Sequence, residues 1–137
     1  MKFVVKEGVG LGMSQLQSLY EDAGWASCAS QPEKVLSALS NSSLVLTAWL
    51  GDELVGLVRL LSDGHFITYI QDILVKKQYK RNGIGRRLLK QALEQAGQVR
   101  QIVLLTDDND ETRGFYEALG FFSCDRGDLV SFARMNL

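Results

Sequence analysis

The chain has 137 residues, 46% of them hydrophobic and 23% charged, with a formal net charge of −1. That is ordinary for a soluble globular protein and long enough for one domain with a real hydrophobic core. No apolar run approaches the length of a membrane span, and the first residues lack the apolar core of a signal peptide, so a cytoplasmic protein without membrane contact is expected. Cys28 and Cys124 form no CxxC spacing, and with His65 as the single histidine no metal site is expected. Reduced thiols in a cytoplasm fit that usage. There is no internal repeat, no low-complexity tract and one proline, so residues 1–137 read as a single domain.

In chain order, Phe3-Val4-Val5-Lys6 is short and β-branched, a first strand, and the stretch from Gly8 to Gly12 is a turn. Leu11, Leu16, Leu19 and Tyr20 share one helix face that ends near Gly24. Trp25-Ala26-Ser27-Cys28 reads as irregular. Pro32 opens a second helix carrying Val35, Leu36 and Leu39, and Asn41-Ser42-Ser43 stops it. Three apolar segments follow, Leu44 to Leu50, Leu54 to Leu61 and Phe66 to Val75, joined by the tight turns Gly51-Asp52-Glu53 and Ser62-Asp63-Gly64. They predict an antiparallel meander.

A basic loop and a long helix closed by Gly97 lead to the apolar strand Ile102 to Leu105. A strand reached through a helix lies parallel to its predecessor by a right-handed crossover. A further helix runs from about Asn109 to Leu119, stopped by Gly120. Phe121-Phe122 and Leu129 to Ala133 are expected as closing strands, with a hairpin turn around Arg126-Gly127-Asp128. The order β α α β β β α β α β β describes a mixed α/β fold around one sheet of about six to seven strands with about four helices.

The stretch Asp72 to Lys90, DILVKKQYKRNGIGRRLLK, organises the rest. A buried strand ends at Val75, a basic loop runs to Asn82, and Gly83-Ile84-Gly85 opens an amphipathic helix with Ile84, Leu88, Leu89, Ala92, Leu93 and Ala96 at helical spacing. Free N–H groups of a first helical turn, the helix dipole and small glycines together make an anion site. From Lys76 to Lys90 there are seven basic residues (Lys76, Lys77, Lys80, Arg81, Arg86, Arg87, Lys90) and no acid, so the remainder of the chain carries −8. A local cationic patch on an acidic protein points to one polyanionic ligand rather than to nucleic acid in general. The plainer alternative for Arg86, Arg87 and Lys90 is a solvated helix face. Two rival phosphate motifs fail by inspection. No Lys-Ser/Thr follows a glycine at P-loop spacing, and Leu88 occupies the third small position of a dinucleotide loop.

Lys80-x-x-Gly83-x-Gly85 after a strand ending Leu74-Val75 resembles the acetyl-coenzyme A signature of the GNAT family of N-acetyltransferases, usually Gln/Arg-x-x-Gly-x-Gly/Ala. Lys80 keeps a donor at the first position but not a planar one. Asn109-Asp110-Glu111-Thr112-Arg113-Gly114-Phe115-Tyr116-Glu117-Ala118-Leu119-Gly120-Phe121 resembles the family's second block, Asn-x-x-Ala-x-x-Phe-Tyr-x-x-x-Gly-Phe, with Thr112 in place of alanine. Taken singly, Phe115, Leu119 and Phe121 read as core, Gly120 as a helix C-cap, Asn109 as an N-cap and Tyr116 as a half-buried aromatic. Both blocks occur in order, about 25 residues apart, across a strand. The resemblance covers residues 44 to 121, and residues 1–43 carry no readable motif.

The resemblance implies a GNAT fold and transfer of an acetyl group from acetyl-CoA to a primary amine by direct attack in a ternary complex. It places the pyrophosphate on the loop and helix amides of Arg81, Asn82, Gly83, Ile84, Gly85 and Arg86, with Lys80 at the first signature position also cofactor-binding, and the pantetheine arm along Ile73, Leu74 and Val75 like an added strand. It adds Asn109, Phe115 and Tyr116 from the second block. A backbone N–H near Leu74 would stabilise the oxyanion. An alkyl amine with a pKa near ~10.4 is nucleophilic in only about one molecule in a few thousand at pH 7, a penalty of roughly 4–5 kcal/mol. Asp72, an acid inside an apolar strand, is the candidate base, directly or through water. Its plainer alternative is a carboxylate tied to neighbouring backbone or a basic group. By family position Tyr116 is the acid, or the hydrogen-bond donor, for the leaving sulfur.

In this family the first two helices and nearby loops set the acceptor. Tyr20, Trp25, Phe66 and Tyr69 could line an aromatic pocket, with Glu21, Asp22 or Asp72 to attract a cation, and each has a plainer reading as core or surface. The Gly24-Trp25 pair and the QDILV segment resemble a bacterial and plant-type group acting on aralkyl or other small amines. Protein N-termini, ribosomal lysines, polyamines and aminoglycosides stay open. Family members are often dimers, and a homodimer is the expected assembly. The rival classes are a non-catalytic CoA-binding sensor and a nucleic-acid binder. The acidic remainder of the chain argues against the second.

Overall fold

The computed structural model of the chain describes residues 2–8 and 12–136. Most of the turn expected at 8–12, and Leu11 as a helix-face residue, lie outside the described residues. The chain falls into two compact units, Met1–Leu105 and Thr106–Leu137.

The first unit is built on a five-stranded sheet in sequential order, β1 (Val4–Glu7), β2 (Leu44–Leu50), β3 (Glu53–Ser62), β4 (Ile67–Val75) and β5 (Gln101–Leu104). The meander is antiparallel as the tight turns require, and β5 joins β4 in parallel through a helical crossover. α1 (Met13–Asp22), α2 (Ala26–Ala29) and α3 (Pro32–Ser40) bury Leu16, Leu19, Tyr20, Ala29 and Leu39 against Val45, Leu54, Leu57 and Leu74. α2 is a short helical turn where irregular chain was expected. Ala29 N–H reaches the Trp25 carbonyl and Ser30 N–H that of Ala26, both at 2.9 Å.

α4 (Ile84–Ala96) lies against β3, β2 and β4 and buries Ile84, Leu88, Leu89 and Ala92. The approach is closest at Gly56. A Cβ there would meet Ile84 Cγ2 at 3.0 Å and both the Leu74 carbonyl and Leu88 Cδ1 at 3.1 Å, so the helix that carries the glycine loop seats only on a residue without a side chain. Among the described residues no helix is long and apolar enough to cross a membrane.

The second unit holds α5 (Asp110–Ala118), capped at its start by Asn109 and closed by Phe121 N–H to the Tyr116 carbonyl and Gly120 N–H to that of Glu117. This is the paired C-terminal motif in which an apolar residue folds back on the last turn.

The sheet therefore has five strands among the described residues, fewer than expected. Phe121-Phe122 and Leu129 to Ala133 are not strands. Arg113 explains part of the difference. Its guanidinium holds Ser123 Oγ at 3.1 Å and Asp125 Oδ2 at 3.0 Å, fixing a 3-10 turn over Cys124–Arg126. Gly127 is extended (φ −146°, ψ −152°), so no hairpin turn forms at 126–128, and the apolar run from Leu129 forms no strand among the described residues.

Candidate active site

The loop between β4 and α4 has a definite shape. After Val75 the chain makes a 3-10 turn at Lys77–Tyr79, extends at Lys80, and enters the left-handed region twice, at Arg81 (φ +66°) and Gly83 (φ +81°). Asn82 Nδ2 donates to the Tyr79 and Lys80 carbonyls at 3.0 and 3.2 Å, which folds the loop on itself. No side chain caps Gly83, so the first-turn amides of α4 keep their outward N–H groups. A Cβ built on Gly83 meets nothing within 4 Å; the residue is there for its backbone angle and leaves open space before the helix start. Lys80, Arg81 and Arg86 are exposed around it. Two of the basic residues are already engaged: Lys76 with Glu53 at 3.0 Å, and Arg87 over the Phe3 ring at 5.2 Å.

β4 itself parts from β5 halfway. The parallel pairing covers Ile67 to Ile70 and stops at Leu104. On the other side β3 continues to pair with β4 up to Gly56↔Val75, with one extra residue, Gln71, between the pairs Leu60↔Ile70 and Arg59↔Asp72. Such a bulge increases local twist and ends pairing on one flank. Ile73, Leu74 and Val75 thus have a strand neighbour only on the β3 side among the described residues.

Asp72 is 3% exposed and lies directly across from Arg59. Its Oδ2 accepts from Arg59 Nε at 2.7 Å and from the Tyr20 hydroxyl at 2.8 Å, and Arg59 Nη1 continues to Ser42 Oγ at 3.3 Å. Burial, then the adjacent carboxylate, pushes the Tyr20 phenol far above its ordinary range, so it stays a proton donor. The other oxygen, Oδ1, is buried with no hydrogen-bond partner among the described residues. The alternative of a carboxylate tied to a basic group is therefore what is found for Oδ2.

In the second unit, Asn109 Oδ1 accepts from Thr112 N–H at 2.8 Å, so Asn109 is the N-cap of α5. Tyr116 is 8% exposed, edge-to-face with Phe115 (5.1 Å, 81°) and Phe121 (5.6 Å, 72°). Burial pushes its phenol up to about 12. Among the described residues its hydroxyl makes no side-chain hydrogen bond, whereas the Tyr20 hydroxyl donates to Asp72. Of the aromatic residues considered for an acceptor pocket, Tyr20 and Trp25 are 5.9 Å apart in the α1–α3 core, while Phe66 is 69% exposed beside the β3–β4 turn. Glu53, Arg59 and Gly56 were not singled out from sequence. Arg59 and Gly56 each interrupt an apolar strand, a signal of a buried partner and of a close approach respectively.

Three comparisons bear on this arrangement. The family model described as Acetyltransferase (GNAT) family matches residues 12–121. An uncharacterized N-acetyltransferase, ycf52, of Pyropia yezoensis is 27% identical over 116 residues, 81% of this chain and 65% of that protein. The chain thus spans slightly less than two thirds of the length of the curated relatives it matches. The solved structure of a GNAT family acetyltransferase from Streptococcus pneumoniae TIGR4 is 31% identical with a TM-score of 0.86, covering 98% of both chains. An aminoglycoside N-acetyltransferase solved in complex with CoA, 12% identical, shares the fold at a TM-score of 0.76, with 99% of this chain and 96% of that one covered. Two signature blocks in order, a strand that parts from its neighbour before a glycine loop, and a family match over most of the length lead to one conclusion: the chain belongs to the GNAT acetyltransferase family.

Proposed function

We propose that the protein is an N-acetyltransferase that moves an acetyl group from acetyl-CoA to a primary amine, a small aralkyl or alkyl amine, by direct attack in a ternary complex. It works as a single domain over residues 1–137, in the cytoplasm and as a homodimer. The observation that carries the reading is the parting of β4 from β5 immediately before the uncapped glycine loop. An unpaired strand flank suits an amide-bearing arm, and an open helix start among exposed cations suits a pyrophosphate.

Acetyl-CoA, when bound, brings the activated thioester. The amides from Arg81 to Arg86 would hold its phosphates, with Lys80, Arg81 and Arg86 as counter-charges. The free flank of Ile73, Leu74 and Val75 would hold the arm, and a backbone N–H near Leu74 would stabilise the oxyanion. By the family resemblance, Asn109, Phe115 and Tyr116 of the second block are further cofactor-binding residues. Tyr116 works as a hydrogen-bond donor to sulfur rather than as a full acid. A phenol at about 12 giving its proton to a thiolate near ~8.5 runs uphill by roughly 5 kcal/mol, whereas a shared proton stabilises the thiolate without that cost. Asp72 is the candidate base, and the geometry narrows how. Arg59 and Tyr20 hold Oδ2, so a proton arrives at Oδ1, through a water because that atom is buried.

The test is calorimetric titration of acetyl-CoA into the wild type and Gly83→Asp, followed by an amine panel with free-thiol readout. Binding to the wild type, lost about a hundredfold or more in Gly83→Asp, is expected, because a carboxylate then occupies the open space in front of the helix start. Tyr116→Phe should lower turnover about tenfold at nearly unchanged cofactor affinity. No binding to the wild type sinks the reading, and binding without transfer to any amine leaves a CoA sensor.

A further inference from the structure

Glu53 belongs to neither signature block, yet both of its carboxylate oxygens are used on the loop after β4. Oε2 accepts from Lys76 Nζ at 3.0 Å and Oε1 from the Tyr79 hydroxyl at 2.8 Å. Lys76 precedes the 3-10 turn and Tyr79 ends it, so one side chain at the start of β3 grips the turn at both ends. Two backbone bonds of 2.9 Å finish the base, Lys76 N–H to the Val55 carbonyl and Tyr79 N–H to that of Lys76. From Tyr79 the hold passes through the Asn82 side chain to the residue before Gly83. α1 supports the same corner: Asp22 Oδ2 accepts from Lys77 N–H at 2.8 Å, and Gln15 brackets the β2–β3 turn by bonding the Asp52 carbonyl and the Leu54 N–H. The Lys76 side chain is only 13% exposed and is spent on Glu53, unlike the exposed Lys80, Arg81 and Arg86.

We propose that Glu53 is a positioning residue for the cofactor: through Lys76 and Tyr79 it holds the 76–83 loop in its anion-binding shape. The proposal rests on the reading that this loop takes the pyrophosphate. Charge alone predicts the opposite sign. A carboxylate near a phosphate site repels the ligand, so neutralising Glu53 and freeing Lys76 would tighten binding. Positioning predicts weaker binding. A glutamine offers one acceptor oxygen to two donors, the turn loosens at one end, and the ligand must reorder it.

CoA is titrated calorimetrically into the wild type, Glu53→Gln, Tyr79→Phe and the double variant, with thermal melts and steady-state kinetics on each. Each single variant should bind CoA about fivefold to tenfold more weakly, with melting temperatures close to the wild type. KM for acetyl-CoA should rise by a similar factor while kcat at saturation stays level. The double variant should lose less than the two singles combined, because both act on one turn. Glu53→Gln binding CoA as tightly as the wild type, or more tightly, overturns the proposal. So does a melting temperature that falls while affinity holds. If Glu53→Gln does not fold, unchanged affinity in Tyr79→Phe overturns it equally. Gly83→Asp separates the two levels. Should it bind CoA normally, the loop reading itself fails; should it lose CoA while Glu53→Gln does not, only the role of Glu53 fails.

Discussion

Arg59 and Arg113 each meet an aspartate at 2.7 Å, and solvent makes the two pairings different objects. Arg59 and Asp72 are 16% and 3% exposed, fixed opposite one another on adjacent strands, with Tyr20 sharing the same carboxylate oxygen. Arg113 is 23% exposed and reaches two carboxylates in water, Asp108 at 79% and Asp125 at 60%. In the first, desolvation of both ions is offset only while both are present. In the second, water substitutes readily for either partner, and the arginine chiefly selects a local conformation, the turn at Cys124–Arg126. Equal distances therefore say little about equal worth. The two proposed catalytic residues differ as well: Asp72 Oδ2 is committed to Arg59 and Tyr20, while the Tyr116 hydroxyl has no side-chain partner among the described residues.

The largest expected effect comes from breaking the buried pair. Arg59→Ala leaves Asp72 buried without its counter-ion and should cost about 3–5 kcal/mol in denaturant unfolding. A loss no larger than that of an exposed pair, under about 1 kcal/mol, would contradict the burial argument. Asp72→Asn tests the chemical role of the same residue. If Oδ1 takes the proton of the amine, turnover should fall about tenfold to a hundredfold and the acid limb of the pH–rate profile should flatten. An unaltered profile would leave Asp72 only the task of holding Tyr20 and Arg59.

This pairing shows what was legible in the sequence. Asp72 stood out as an acid in an apolar strand, and Lys80, Gly83 and Gly85 stood out because a backbone-built anion site needs few side chains at fixed spacing. The partner of Asp72 was not legible. It depends on cross-strand register, and β3 is offset by irregularities between Ala48 and Trp49 against β2 and between Arg59 and Leu60 against β4. A slip of one residue would set Arg59 across from Gln71 and turn it to the other face. Tyr20 joins from 52 residues away, a distance that helix periodicity cannot bridge. Lys76 counted as one of seven cations until its neighbour Glu53 was placed. The expected closing strands failed because Leu129 to Ala133 has the composition of a strand, and composition alone does not make one.

The exposed centre yields the smallest effect and the clearest sign. Arg113, then Ser123, by hydrogen bonds to its carboxylate, holds Asp125 down at about 2. A folded-state value below the unfolded one means that its contribution is present above about pH 4 and is lost as pH falls through about 2. Over that window the Cys124–Arg126 turn should open, read by hydrogen exchange at the Arg126 amide, which bonds the Ser123 carbonyl at 3.1 Å. Arg113→Ala should open the turn already at neutral pH and abolish the acid transition, with a change in global stability far below that of Arg59→Ala. Raising ionic strength should mimic part of this at Arg113 and leave the buried pair untouched, since salt screens exposed charges far more than buried ones. A protein whose Arg59 pair proved as salt-sensitive as its Arg113 centre would place Asp72 within reach of solvent, and the water-relayed path to Oδ1 would give way to direct access by the amine.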